Sequence, residues 1–395
     1  MKSQSYSIPT ARLAVLAMFF ANGAVFANWV ARIPQIQAKL ALSEGELGLV
    51  LLGIAVGTLT ALSLAGGLIA RYGSRAVTTA GALFMCLLLP PLALMPNAVA
   101  LWVNLFLLGA ALSVMDVAMN SQGVEVERNL GKAVMSSFHA AFSIGGFVGA
   151  GLGAVMATFA IDPLWHFITA AVIFAGLILL AAPKLLPAST EAKSGQGGSV
   201  FQLPPRILWP LGAAAFCAAI GEGSMADWSG VYLKNIVGAT AGTAAFGFAA
   251  FSITMTLGRL LGDSLTMRFQ PALLVQTGGI VAAVGLGFAL VQPQVIPALL
   301  GFAAVGAGMS IVVPLAFSTA GNIPGLPAGV GIAGVATIGY AGFLAGPPLI
   351  GLIAELTSLR VALLVVVALT GSLVITAQAF RRNQVCPVSL PVAGD

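Results

Sequence analysis

Charge is what this chain has least of. Asp, Glu, Lys and Arg make up 7% of its 395 residues, against about 25% in a soluble domain. No water-facing surface can be built from so few charges. Histidine occurs twice, and the three cysteines (Cys86, Cys217 and Cys386) are scattered. That excludes a metal-ligand motif and gives no disulfide framework. No Gly-rich loop ends in Lys-Ser or Lys-Thr, so no nucleotide cradle is expected, and no nucleophile–base pattern is visible. An enzyme, a cofactor and a fuel hydrolysed by the chain itself are therefore not expected. Short alternating segments, the mark of an outer-membrane barrel, are missing too.

What is present is apolar length: 59% of the residues are hydrophobic. A bilayer span needs roughly 20 such residues. Twelve stretches reach that length, near 11–33, 46–70, 76–95, 98–124, 135–160, 163–182, 207–232, 242–266, 271–291, 294–320, 328–354 and 358–380. The pattern predicts an all-α membrane protein with lipid as its main surroundings. Lys2 and Arg12 ahead of the first stretch imitate a secretion signal, but eleven further spans favour a retained first helix. The net charge of +5 invites a nucleic-acid reading, which the distribution rejects, because the basic residues stand singly at helix ends.

Those ends orient the chain. With the N-terminus in the cytoplasm, that side collects Lys2, Arg12, Arg71, Arg75, Arg128, Lys132, Lys184, Lys193, Arg206, Arg268, Arg381 and Arg382. The other side collects Arg32, Lys39, Lys234 and Arg360, and Arg259 lies within a span. This 12-to-4 bias predicts both termini in the cytoplasm of a bacterial-type inner membrane.

The chain is also written twice. Gly109, Ser113 and Ser121 recur as Gly306, Ser310 and Ser318, each 197 positions on (306 − 109 = 197). Arg71 meets Arg268 and Gly149 meets Gly346 at the same offset. Asn28-Trp29 answers Asp227-Trp228 at an offset of 199. The one long polar connection contains Ser-Gly-Gln-Gly-Gly-Ser at 194–199 and divides the spans six and six. The expected organisation is a first bundle over 1–182, a cytoplasmic linker over 183–206, and a second bundle with a short tail over 207–395. Duplicated, very apolar chains of this kind are the pattern of two-bundle transporters.

Between the second and third spans runs Gly66-Gly-Leu-Ile-Ala-Arg71-Tyr-Gly73-Ser-Arg75. It resembles the signature loop of the major facilitator superfamily, Gly-x-x-x-Asp-Arg-x-Gly-Arg-Arg, at Gly66, Arg71, Gly73 and Arg75. Ala70 stands where the family has Asp, so the family's usual latch at this loop lacks its acid. Gly258-Arg259-Leu-Leu-Gly-Asp263 followed by Arg268 is a variant of the same element. Asp116-Val-Ala-Met-Asn120, Ser137-Phe-His139, Gly221-Glu-Gly-Ser-Met-Ala-Asp-Trp228 and Gly346-Pro-Pro348 resemble the fucose-permease-like branch. The resemblance implies two pseudo-symmetric six-helix bundles, a central cavity lined by spans one, four, seven and ten, and gating roles for Arg71, Gly73, Arg75, Arg259, Asp263 and Arg268.

Ionisable groups inside a span are costly, so each is a candidate by default. Asp116 and Asn120 lie one turn apart on one face of span four. They suit a polyol or a proton, or simply hold helices together. Glu222, set between Gly221 and Gly223, is the first choice for proton coupling, with Asp116 and Asp227 beside it. Asn22, Asn28, Trp29 and Trp228 are candidate solute contacts, against a reading as packing amides and an aromatic belt. Arg259 and Asp263, four apart, are spaced for a same-face ion pair. His139 and the group Glu125, Glu127, Arg128 and Lys132 read as helix-end and surface features.

These residues predict a secondary transporter for a small polar solute, a sugar or polyol by resemblance, driven by a proton gradient. A single chain suffices for this architecture, so a monomer is expected, with solute, proton and lipid as its partners. The rival is a proton-driven exporter of amphipathic compounds using Met115, Met119, Met225, Phe26 and Phe317. A non-transporting membrane receptor is a third reading, weakened by the shortness of every loop.

Overall fold

The computed structural model describes residues 7–131, 134–187, 204–324, 326 and 328–381, without the side chains at 63, 136, 263, 321, 328–330, 332 and 333. Lys2, Lys132, Lys193, Arg382, Cys386, the Asp263 side chain and most of the expected 183–206 linker thus lie outside the described residues.

Among the described residues every regular element is helical. The first bundle holds α1 (Ile8–Val30), which breaks and continues as α2 (Ile33–Leu40), then α3 (Glu44–Tyr72), α4 (Ser74–Leu88), α5 (Ala98–Leu130), α6 (Met135–Thr158) and α7 (Pro163–Ala181). The second holds α8 (Trp209–Asn235), α9 (Ala241–Arg268), α10 (Pro271–Val291), α11 (Val295–Met309) with α12 (Val312–Gly321), α13 (Ala328–Leu356) and α14 (Leu359–Thr376). Counting α1–α2 and α11–α12 as one span each, twelve segments are long and apolar enough to cross a membrane. Helices are the form such segments must take, because lipid offers no partner for backbone N–H and C=O groups.

Successive spans run antiparallel, so Ser7, Pro187, Pro204 and Arg381 share one face, the near face. The opposite, far face carries the turns at 41–43, 95–97, 159–162, 236–240, 292–294 and 357–358. All but the turn at 292–294 feed a helix whose first N–H groups are bonded by a side chain: Ser43, Asn97, Asp162, Thr240 or Ser358. Ser43 and Glu46 form a reciprocal capping box (3.2 and 3.0 Å). On the near face, Gly73 joins α3 to α4 at φ +80, a conformation that favours glycine and explains its place in the signature loop.

The repeat is legible in the packing. Gly109 on α5 lies against Ile54 of α3, and Gly306 on α11 lies against Phe251 of α9. The partners are offset by the same 197 positions as the glycines (251 − 54 = 197). A Cβ at either glycine would collide with the partner's backbone. On α6, Gly145, Gly149 and Gly153 face Phe20, Ala24 and Ala31 of the first span. Small residues let backbones approach closely where lipid provides no hydrophobic drive between helices. Gly346 does not share this work on α13: nothing would touch a Cβ there, whereas Gly342 lies on Phe216.

Candidate functional site

The two bundles meet along two seams, each closed on its far side. Gly48 of α3 lies against Pro347 and Gly351 of α13, and the Glu355 carboxylate accepts a hydrogen bond from Gly45 N (3.1 Å). That carboxylate sits on the N-terminus of α3, where a helix dipole favours negative charge. In the other seam, Ala27, Ala150 and Ala249 cluster, as do Ala31, Ala154 and Ala245, and Thr158 abuts Gly242. Pro34 packs on Gly230, and Asn235 donates to Gln37 (3.5 Å). Toward the near face, Gly66 and Gly67 of α3 would meet nothing within 4 Å.

Behind these seams lies a cavity of about 270 Å³. Ligand pockets run roughly 300–1,000 Å³, so the space suits a small solute. Its walls are mostly apolar and aromatic, with Phe26, Leu51, Ile54, Phe142, Phe248, Phe251, Met255 and Phe343 among them. Charge enters through Glu222, Asp227 and Arg259, and further polarity through Thr58, Ser143, Ser252 and Tyr340.

Arg259 of α9 reaches across to Glu222 of α8, with Nη2 3.4 Å from both carboxylate oxygens, and its Nη1 donates to Ser143 Oγ of α6 (3.2 Å). The ion pair is half-buried, about a quarter exposed on each side chain. It thus joins two helices of the second bundle to a hydroxyl of the first. The Asp263 side chain, four residues on, lies outside the described residues; among those described, the arginine's ion-pair partner is Glu222, 37 positions away.

The other expected residues fall in three groups. Asp116 and Asn120 do pair, the Asn120 amide donating to both the Asp116 carbonyl (2.8 Å) and its carboxylate (3.2 Å). They share a helix and do not line the cavity. Asn22 is buried and turns its amide nitrogen to Met119 Sδ (3.6 Å), leaving its oxygen unpartnered. Trp29 and Trp228 are fully buried with unpartnered indole N–H groups, so in this conformation neither reaches the cavity. Their aromatic area favours the bundle interior over an exposed vestibule.

Asn28 belongs to a network the sequence did not reveal. Arg32, at the α1–α2 break, donates from Nε to His166 Nδ1 (2.9 Å) and from Nη2 to the Ile161 carbonyl (3.0 Å), and it also bonds Gln35. With Nδ1 accepting, the His166 proton sits on Nε2 and is donated to Asn28 Oδ1 (2.6 Å). Asn28 Nδ2 in turn donates to the Ala24 carbonyl (2.7 Å). All three side chains are fully buried. Arg32 is thus sealed inside the first bundle, with His166 as its partner. Their separation of 134 positions leaves no local pattern to read.

At the near face, Arg71 lies over the Tyr72 ring (5.2 Å), and Arg75 lines a surface groove with Tyr72 and Leu179. Among the described residues, Arg71, Arg75 and Arg268 have no ion-pair partner, consistent with Ala70 replacing an acid. Glu127 does more than solvate a surface: it accepts from Val134 N (2.7 Å) and Met135 N (3.0 Å), capping α6. Gln122, also unanticipated, ties α5 to Ser74 Oγ (2.6 Å) and to both backbone groups of Leu186 (2.9 Å each). His139 packs edge-on against Phe19 (5.3 Å).

A sequence model described as the Major Facilitator Superfamily matches residues 14–330. The chain belongs to that superfamily. An uncharacterized transporter of the superfamily from Yersinia pestis is 39% identical over 364 residues, covering 92% of this chain and 94% of that protein. The membrane protein MosC of Rhizobium meliloti is 33% identical over 369 residues, covering 93% and 89%. Among solved structures, a point mutant of the nucleoside transporter NupG superposes with a TM-score of 0.76 at 12% identity, covering 95% of this chain and all of that one. The transporter FucP, in its outward conformation, gives 0.60 at 20% identity, covering 95% and 99%. This major facilitator is thus a multi-pass membrane transporter, with the two-bundle fold of its family.

Proposed function

We propose that this major facilitator is a secondary transporter that moves a small polar solute by alternating access, coupled to a proton at Glu222. One arrangement carries the reading: an ion pair inside the central cavity whose arginine also grips the opposite bundle through Ser143. Protonating Glu222 removes the counter-charge of Arg259 in a poorly hydrated space, where an unpaired cation is costly. The cation must then find a new partner, and its grip on α6 changes with it. Proton binding and the closure of one seam are thereby the same event, which is what coupling requires.

Several further assignments go with this reading. Residues 1–182 and 207–395 move as two bodies joined by the 183–206 linker. The basic-residue bias puts the near face in the cytoplasm of a bacterial inner membrane, so the cavity opens inward. Asp116, Asn120 and His139 border the path from cavity to near face. Arg71, Gly73, Arg75 and Arg268 shape the near-face gate. One chain supplies both cavity walls, so a monomer suffices. Two structural neighbours, a nucleoside transporter and a fucose:proton symporter, support a polar solute, a sugar or polyol among them.

The apolar walls favour a second reading, export of amphipathic compounds. Phe26 does line the cavity, as that reading expected, and Met255 joins it. Met115, Met119 and Met225 are buried away from it.

The test uses energy-depleted cells in weak buffer with an external pH electrode. A transported solute should raise the external pH with the wild type, and Glu222→Gln should still exchange solute while moving no proton. A Glu222→Gln protein that accumulates solute down a pH gradient at the wild-type rate overturns the assignment.

A further inference from the structure

Three carboxylates lie at or near the cavity, and they differ in company. Glu222 faces Arg259. Asp116 accepts from the Asn120 amide. Asp227 lines the cavity with no hydrogen bond and no ion pair among the described residues. Among the described residues Arg259 is the sole basic residue of the lining, and it is already held by Glu222 and Ser143. The lining therefore carries two carboxyl groups against one guanidinium.

A carboxylate without a partner in an apolar chamber is expensive, so it either keeps a proton or waits for a cation. The walls distinguish these. Phe26, Phe248 and Phe251 line the same chamber, with the Phe248 and Phe251 rings stacked at 5.8 Å. Aromatic faces add little for a carboxylic acid but attract a cation through their negative ring faces. An anionic solute would meet an excess of negative charge unless it displaced Glu222 from Arg259. A neutral solute would leave Asp227 unpaired.

We propose that Asp227 is the counter-ion for an ammonium group on the transported solute, and that the solute class is a small amine with an apolar or ring-shaped body. This rests on the reading of the cavity as the solute site. It divides the labour within α8: Glu222 answers to Arg259 and the proton, and Asp227 answers to the solute. The two are five residues apart, which turns them to different parts of the chamber. The assignment holds for import and for export alike, because it concerns what the chamber recognises.

The test uses the purified full chain and matched probes that differ only in the charged group: 2-phenylethylamine against 2-phenylethanol, and glucosamine against glucose. Thermal stabilisation is measured for the wild type, Asp227→Asn and Asp227→Glu. In at least one pair the amine should stabilise the wild type and the matching neutral compound should not. Asp227→Glu should keep that preference. Asp227→Asn should bind the amine at least about tenfold more weakly. Equal effects of amine and neutral compound on the wild type, including no effect from either, overturn the proposal, as does a preference that survives in Asp227→Asn. The wild-type comparison decides even where a variant does not fold. A neutral probe that binds without an amine preference sinks this assignment while leaving the transport reading intact. Coupling itself stands or falls on the Glu222→Gln proton measurement.

Discussion

Each bundle ties an arginine within a span into a side-chain network, and the two are treated in opposite ways. Arg32 in the first bundle is fully buried and bonded to neutral acceptors: His166, Gln35 and a backbone carbonyl. Every partner belongs to the same bundle, and each proton in the chain has one consistent place. Arg259 in the second bundle is half-buried, faces a carboxylate that can be neutralised, and extends its second nitrogen to the other bundle. The first arrangement stays within one bundle. The second reaches both bundles and rests on a carboxylate that one proton neutralises. A buried charge is therefore not evidence of function in itself; what matters is whether its partners can change.

The largest effect that would sharpen this contrast is expected at His166. His166→Ala takes away the Nε acceptor of a buried cation and the donor to Asn28, and should cost about 3 kcal/mol of stability. Thermal melting of the purified protein checks it. A His166→Ala protein with wild-type melting and abolished transport would break the contrast by moving function into the first bundle.

A middle-sized effect is expected at the α3–α13 seam. Gly48→Leu places a side chain against the Pro347 carbonyl and Gly351, so the far-side seam cannot close as it does here. Transport should fall by about tenfold or more, for a cost of roughly 1–3 kcal/mol on the closed state. Melting should change less than for His166→Ala. Solute flux with distance measurements between labels on α3 and α13 reads both, and full flux with an unchanged seam distance would contradict the close crossing.

The smallest effect belongs to Ser143. Ser143→Ala removes one hydrogen bond to a charged group that keeps its carboxylate partner, worth about 1.5 kcal/mol or less at a half-buried site. Stability should hold, while the rate of coupled transport should shift by a few fold. An unchanged rate would mean that Arg259 does not join the bundles in a way that transport uses.

Much of the fold was legible in the residues themselves. Span lengths follow from lipid thickness, and the 197-residue echo follows from duplication, so the matched crossings of Gly109 on Ile54 and Gly306 on Phe251 were implicit in it. Glu222 was legible because a carboxyl in an apolar run is conspicuous wherever it falls. Its partner was not. Local spacing points to Asp263, whose side chain lies outside the described residues, and the described hydrogen-bonded partners are 37 and 116 positions away. Arg32 misled for a related reason: a charge near a span end reads as exposed, and only the return of α7 beside α1 closes His166 over it.

The amino-acid sequence alone determined that this chain lives in a bilayer, that it is built from twelve helices in two related sets, and that few charges were available for chemistry. Those properties depend on hydrophobicity and chain length, which are additive along the sequence. Only the tertiary structure decided which arginine is sealed within one bundle and which faces a cavity carboxylate, and which cavity carboxylate stands without a partner among the described residues. Those depend on contacts between segments far apart in the chain, where about one ångström separates a hydrogen bond from open space.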